Sequence, residues 1–212
     1  MTEPRSSNVV TADDCDECGQ INRRTVVAGA AAIGAFAGLS SSPAGAAGKE
    51  GKEVKPEKMP VQPGDRIQFI KGDVKGEFLR ADMLVEGDKP IEAFPYDPEN
   101  EVLRRKYRLN RLLVLKLNPD EMNVDTRARS VDGVLVFSAL CTHRACTIKS
   151  WMPEERHMRC HCHLSRFAAL EEGRVQDGPA KRQLPMVPVG LDEEGFVVAM
   201  ETFTSKPGGA KK

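Results

Sequence analysis

The chain is poor in aromatic side chains and in histidine: among 212 residues it has one Trp, two Tyr, eight Phe and four His. It also lacks an excess of either charge, with 31 Lys and Arg against 31 Asp and Glu. Without a basic surplus nothing draws it to the phosphate backbone, so nucleic acid is set aside as a partner, and there is no acidic tail. Long apolar runs are missing too. The longest starts near Thr25 and ends near Leu39; at roughly 1.5 Å per residue it spans about 22 Å, short of a hydrocarbon core of roughly 30 Å. No segment keeps a long 3.6-residue apolar period, which argues against extensive helix, and no internal repeat is found. The length excludes two large domains and suits one ordinary domain, or a small domain with a tail.

What is present reads as all-β. Apolar residues make up 40% of the chain, enough for a core, and 14 Pro and 18 Gly punctuate it into short bursts. Strands are expected at 66–70, 77–85, 111–117, 133–140, 183–189 and 195–200, the strongest being the Leu112–Leu117 and Val134–Phe137 runs. Short turns are expected around 98–105 and 119–122. A basic run, Arg104-Arg105-Lys106-Tyr107-Arg108 with Arg111, is a candidate docking face for an acidic redox partner, although such runs are more often simply solvated.

The first residues stand apart. Arg23-Arg24, the Ala/Gly-rich run after them and the small residues up to Ala46 resemble a twin-arginine export signal, with cleavage expected near Ala46. The expected organisation is a leader over 1–47, a flexible linker over 48–63, a folded domain over 64–203 and a polar tail over 204–212. Cys15 and Cys18 form a lone C-x2-C in the leader, half of a metal site at most.

The chemistry is concentrated elsewhere. Four of the six Cys and three of the four His fall between 141 and 163 in two boxes: Cys141-Thr142-His143-Arg144-Ala145-Cys146 and Cys160-His161-Cys162-His163-Leu164-Ser165-Arg166-Phe167. Two thiolates and two imidazoles could form a zinc tetrahedron. The spare cysteines argue otherwise: in an exported protein Cys146 and Cys162 would oxidise, and a bond closing a loop of about 15 residues adds on the order of 3 kcal/mol.

C-T-H-x-x-C followed by C-x-C-H-x-S-x-F resembles the Rieske iron–sulfur motif, and the resemblance covers roughly residues 130–190. It implies an antiparallel β-sandwich with a cluster-binding part over about 138–186, built from two ligand loops and a proline loop. It makes Cys141 and Cys160 the ligands of one iron of a single 2Fe–2S cluster and His143 and His163 those of the other, with Cys146 and Cys162 as a disulfide. Replacing two thiolates by neutral imidazoles leaves the oxidised cluster uncharged instead of a dianion, so adding an electron is easier, and the imidazoles tie the potential to pH. Ser165 matches the serine that donates to a bridging sulfide. Phe167 stands where quinol-oxidising members have a hydrogen-bonding tyrosine. Gly178 and Pro179, with Leu184-Pro185, match the proline loop that covers the cluster.

Ala145, His161 and Leu164 depart from the Gly, Pro and Gly usual in cytochrome bc members, which suggests altered loop geometry. Leu164, a non-glycine before the serine, together with Phe167 after it resembles the small subunit of arsenite-oxidase-type molybdenum enzymes. The function so implied is a periplasmic one-electron carrier, not catalytic alone, passing electrons from a molybdopterin-type subunit to a c-type cytochrome. The alternative is the Rieske subunit of a quinol–cytochrome c reductase, anchored in the inner membrane by an uncleaved leader. An oxygenase is excluded, because only His157 and His161 remain for a mononuclear iron site. His157, His161 and Trp151 are read as exposed, linking and packing residues.

Overall fold

The computed structural model describes residues 54–209. The chain divides into units Met1–Lys49 and Glu50–Lys212, and every described residue belongs to the second. The leader, with Cys15, Cys18, Arg23 and Arg24, lies outside the described residues.

The fold is an antiparallel β-sandwich with very little helix. In chain order its elements are β1 (Arg66–Phe69), β2 (Ile91–Asp97), β3 (Val102–Leu103), β4 (Leu112–Lys116), α1 (Val124–Ala128), β5 (Val134–Ser138), β6 (Ser150–Met152), β7 (His157–Arg159), β8 (Arg166–Ala168), β9 (Arg174–Asp177), β10 (Val189–Leu191) and β11 (Val197–Ala199). A seven-stranded sheet runs β10-β11-β1-β2-β4-β5 with β3 on β2, and a four-stranded sheet runs β6-β7-β8-β9. The large sheet curls: the N–H groups of Val187 and Ser138 donate to Val136 and Pro185 carbonyls at 2.8 Å, joining β5 to the segment that leads into β10. Among the described residues no helix is long and apolar enough to cross a membrane.

The two strongest apolar runs explain the layering. Side chains alternate across a strand, so a run buried at every position must face two cores. Leu112, Val114, Val134 and Val136 point into a core with Ile67, Phe69, Leu79 and Val197. Leu113, Leu115, Leu135 and Phe137 point into a second core that contains Cys141, Cys160, Met158 and Phe167. The β4–β5 pair is therefore the wall shared by the sandwich and the loops bearing the cysteines.

Several expectations change. The 77–85 segment is not a strand; Phe78 forms one bridge to Gln68, and a 3-10 turn follows at Ala81–Met83. At 183–189 only Met186 bridges to β5, and the strand starts at Val189. Strand β2 is hidden in the sequence by Pro95 and Glu92. Pro95 sits where the partner of β2 changes from β4, which pairs with Ile91–Ala93, to β3, which pairs with Tyr96–Asp97.

The basic run is divided by burial. Arg104 is 5% exposed, with Nε 2.7 Å from Asp65 Oδ2, Nη2 2.8 Å from Asp97 Oδ2, and Nη1 donating to the Pro56 carbonyl at 2.8 Å. It is a structural ion triad, so Arg104 drops out of any docking face. The carboxyls diverge: burial pushes Asp65 up despite its guanidinium partner. Asp97 ends below its usual range because hydrogen bonds from Asn100 and the Arg104 charge outweigh burial. Asn110, fully buried, accepts from the Val61 N–H at 3.0 Å and donates to the Met59 carbonyl at 2.8 Å. These two polar anchors hold residues 56–61 against the sheet with Val61 in the core, so that part of the expected linker packs on the domain. The tail packs as well, as far as 209: Phe203, Pro207 and Gly208 are buried.

Removing the guanidinium leaves two carboxylates buried without a counter-charge. Arg104→Ala is expected to destabilise the fold by about 3–5 kcal/mol in urea unfolding, whereas Arg105→Ala, at an exposed neighbour, stays within about 0.5 kcal/mol. Equal effects of the two substitutions contradict the buried triad.

Candidate metal centre

Two loops of matching construction rise from the second core. The first leaves β5, and the Cys141 N–H donates to the Cys146 carbonyl at 2.9 Å. The second joins β7 to β8, and the Cys160 N–H donates to the Ser165 carbonyl at 2.9 Å. In each, a buried cysteine is closed by the residue five places on, and the residue four places on is left-handed: Ala145 at φ 56° and Leu164 at φ 61°. Each loop is thus one tight turn hung from a core cysteine.

The turns bring like donors together. Cys141 and Cys160 are free thiols, each 1% exposed. Burial, with Cys160 adding to it, pushes the Cys141 thiol up to about 11. The rings of His143 and His163 lie edge to face, 4.6 Å between centroids. Burial, then the charges of His163 and Arg144, lowers the basicity of His143. Its Nδ1 is buried without a partner. Cys146 and Cys162 are joined by a disulfide that pins one loop to the other. The sulfurs of Cys146, Cys160 and Cys162 lie within 4.8 Å of one another, but two of the three are bonded to each other and do not form a ligand set.

This donor set fits a metal cluster on two grounds. Two adjacent buried thiols cannot both ionise unless a cation neutralises them, and an unpaired imidazole nitrogen in a buried place carries a cost unless it gains a partner. Two sulfurs on one side and two nitrogens on the other suit a pair of irons with unlike ligands.

The third wall is the segment after β9. Gly178 is left-handed at φ 88°, and a Cβ there would stand 2.5 Å from Ser165 Cα, so only glycine allows this approach. Pro179 follows at the surface. The Ala180 N–H donates to Ser165 Oγ at 3.1 Å, which leaves the buried hydroxyl's own proton free to be donated. Phe167, on β8 opposite Met158 and Val175, is fully buried in the core that holds both free thiols.

The left-handed φ values correct the expected change of loop geometry. Ala145 and Leu164 hold the conformation that glycine would favour, at a cost of roughly 1–2 kcal/mol each. The departure lies in what the side chains present: Leu164 is 57% exposed beside an exposed His163. His157 is half-buried on β7 with Nδ1 buried and unpaired, less exposed than the sequence suggests. His161 is exposed, its Nε2 3.8 Å from Cys162 Sγ. Trp151 packs against the thiol-bearing core and donates from Nε1 to the Gly87 carbonyl at 3.0 Å. Sequence reasoning missed Thr142 and Arg182. Thr142, between two donor residues, donates from Oγ1 to the Arg182 carbonyl at 2.6 Å; no local pattern marks a contact across 40 residues.

Residues 98–188 match the family model of the Rieske [2Fe-2S] domain. The chain is 30% identical over 121 residues to a Streptomyces lividans protein named cytochrome bc1 complex Rieske iron-sulfur subunit, a match covering 57% of this chain and 68% of that one. It is 31% identical over 142 residues to a Corynebacterium diphtheriae protein of the same name, covering 62% and 34%. It is 28% identical over 147 residues to a Haloferax mediterranei protein named putative respiratory nitrate reductase subunit Rieske, covering 68% and 62%. The matched region spans from about a third to two thirds of these relatives' length.

Phe167→Tyr places a donor in the sulfur-lined core. A hydrogen bond favouring the reduced state by about 1.4 kcal/mol is expected to raise the midpoint potential by about 59 mV. An unchanged potential in a redox titration contradicts the role given to this position.

Proposed function

The chain belongs to the family of Rieske iron–sulfur proteins, and we propose that it is an exported one-electron carrier in which Cys141 and Cys160 hold one iron of a 2Fe–2S cluster and His143 and His163 the other. The observation that carries this reading is the sorting of donors: two buried free thiols, two imidazoles edge to face, and a disulfide tying their loops. When bound, such a cluster supplies a one-electron couple in the range of roughly −150 to +300 mV, above the roughly −400 mV of four-thiolate plant-type clusters.

The chain's own residues do the remaining work. The second core buries the thiol side and keeps water from it. His163 is exposed in its loop, whereas His143 is partly buried, so a partner meets the site from the His163 side. Ser165 accepts from the Ala180 N–H and so keeps its hydroxyl proton free to donate, and the Gly178–Pro179 turn closes the third side. None of these groups performs chemistry on an organic substrate. The protein therefore acts within an oxidoreductase complex, not as an enzyme alone.

The donor we propose is a molybdopterin-type dehydrogenase or oxidase subunit and the acceptor a c-type cytochrome, supported by Phe167 in place of a tyrosine and by the non-glycine Leu164. A second reading, the Rieske subunit of a quinol–cytochrome c reductase, draws support from the exposed His163, which could accept a hydrogen bond from quinol, and from relatives named for a cytochrome bc1 complex. The paired arginines at 23–24 support twin-arginine export to the periplasm, with the cluster built before crossing. The disulfide accords with an oxidising compartment. An uncleaved leader would leave the protein anchored in the inner membrane.

Two measurements test this reading. Replacing Arg23 and Arg24 together by Lys is expected to leave cluster-loaded protein in the cytoplasmic fraction, and an unchanged periplasmic yield contradicts export by this route. Adding a short-chain quinol to the native complex is expected to leave the visible absorbance of the oxidised cluster in place; rapid bleaching moves the assignment to the quinol-oxidising reading.

A further inference from the structure

The C-terminal segment runs over the loop that carries His143. Thr204 clips it to the wall beside β5: its N–H donates to the Met186 carbonyl at 2.8 Å, and its Oγ1 accepts from the Met186 N–H at 3.1 Å. Beyond this point the segment leaves the sandwich core, yet Pro207 and Gly208 are buried. They are buried against the first ligand loop. A Cβ at Gly209 would stand 2.6 Å from the His143 carbonyl oxygen and 3.0 Å from Arg144 Cα, and one at Gly208 would stand 3.3 Å from Ala145 Cβ. Gly208 itself is left-handed at φ 77°. Gly209 thus lets backbone lie on backbone where a side chain would force the two apart, and Gly208 supplies the left-handed residue packed on Ala145.

One side chain locks the arrangement. The Arg182 guanidinium reaches across from the segment after the proline loop, Nη1 donating to the Lys206 carbonyl at 3.2 Å and Nη2 to the Gly208 carbonyl at 2.8 Å. The Arg182 carbonyl accepts in turn from Thr142 Oγ1 at 2.6 Å, between Cys141 and His143. Arg182 therefore ties the proline-loop segment, the first ligand loop and the tail through their backbones. The residue pressed beneath Gly208 is Ala145, which holds a conformation that alanine seldom adopts. Such a conformation persists when its surroundings over-determine it.

We propose that residues 204–209 are a strap, and Arg182 the positioning residue that fastens it, which together hold the His143 loop in its left-handed turn and so set the placement of that imidazole. The proposal rests on the reading of His143 as a cluster ligand, but the strap itself is a property of the chain without iron. The second loop needs no such device, because Gly178 and Ala180 already close on Ser165. Besides the disulfide that the two loops share, the first loop is held by Thr142 and by the strap above it.

The test uses the full chain with Arg182→Gln, with Gly209→Val, and with a stop after Thr204, beside Lys206→Ala as a control that spares the backbone carbonyl. Three quantities are read: the rate at which a chelator bleaches the cluster, the midpoint potential, and the rate at which dithiothreitol reduces Cys146–Cys162 in the iron-free chain. Loss of two hydrogen bonds worth about 1 kcal/mol or less each predicts roughly tenfold faster bleaching and disulfide reduction. The midpoint is expected to shift in all three variants, with Lys206→Ala at wild-type values. Arg182→Gln and Gly209→Val keep the tail and decide the matter should the shortened chain not fold. Wild-type potentials and rates in both overturn the strap. If the wild type takes up no cluster, the ligand assignment fails, and disulfide reduction in the iron-free chain still tests the strap alone.

Discussion

Two thiols buried side by side are the constraint around which the rest of this structure is arranged. Cys141 and Cys160 sit in the same core as Phe137, Met158 and Phe167, and burial holds Cys141 in its protonated form until a cation replaces the proton. A metal-free chain keeps the Cys141 thiol neutral, and the chain with irons gains two strong ligands in a buried place. Placing the imidazoles on the outer side follows from the same economy of charge, because neutral rings tolerate the boundary between protein and water that thiolates on a cluster do not need to meet.

The sandwich supplies a rigid place for this pair. Because β4 is apolar from Leu112 to Leu115 and β5 from Val134 to Phe137, they divide two cores, and the ligand loops grow from the far side of that wall. Each loop is a single turn closed by a hydrogen bond from its cysteine, and each spends strain on one left-handed residue. The strain is distributed differently around the two. Gly178 and Ala180 brace the second loop, whereas the first is braced by Thr142, Arg182 and the chain terminus. The disulfide couples them, so a displacement of either loop is felt by the other. A site of this kind is made of few contacts, each with a defined partner, and its geometry is as good as those partners allow.

The chemistry was legible in the sequence because it is local: the donors, the disulfide pair and Ser165 fall within 25 residues, from Cys141 to Ser165, and their types alone restrict the metal. The all-β class followed from turn residues and from Leu112–Leu117 and Val134–Phe137. Long-range relations were not legible. Strand β2 is masked by Pro95, which is tolerated only because its partner strand changes there. Arg104 looks like one of several surface cations until Asp65 and Asp97, 39 and 7 residues away, are seen to surround it. Ala145 and Leu164 suggested an altered loop geometry, because residue type reports a preference and tertiary contacts can override it. The polar composition of 204–209 hid the strap, since its contacts are made by backbone and by glycine.

The central claim is that two imidazole nitrogens and two thiolates share one pair of irons. Electron spin-echo or electron–nuclear double resonance of the dithionite-reduced protein addresses it directly, with 15N-histidine incorporated. The account predicts strong couplings from two inequivalent histidine nitrogens on a paramagnetic 2Fe–2S centre, one of them lost in His143→Cys and one in His163→Cys. A reduced protein that is silent in electron paramagnetic resonance, or a paramagnetic cluster with no histidine nitrogen coupled to it, contradicts the account.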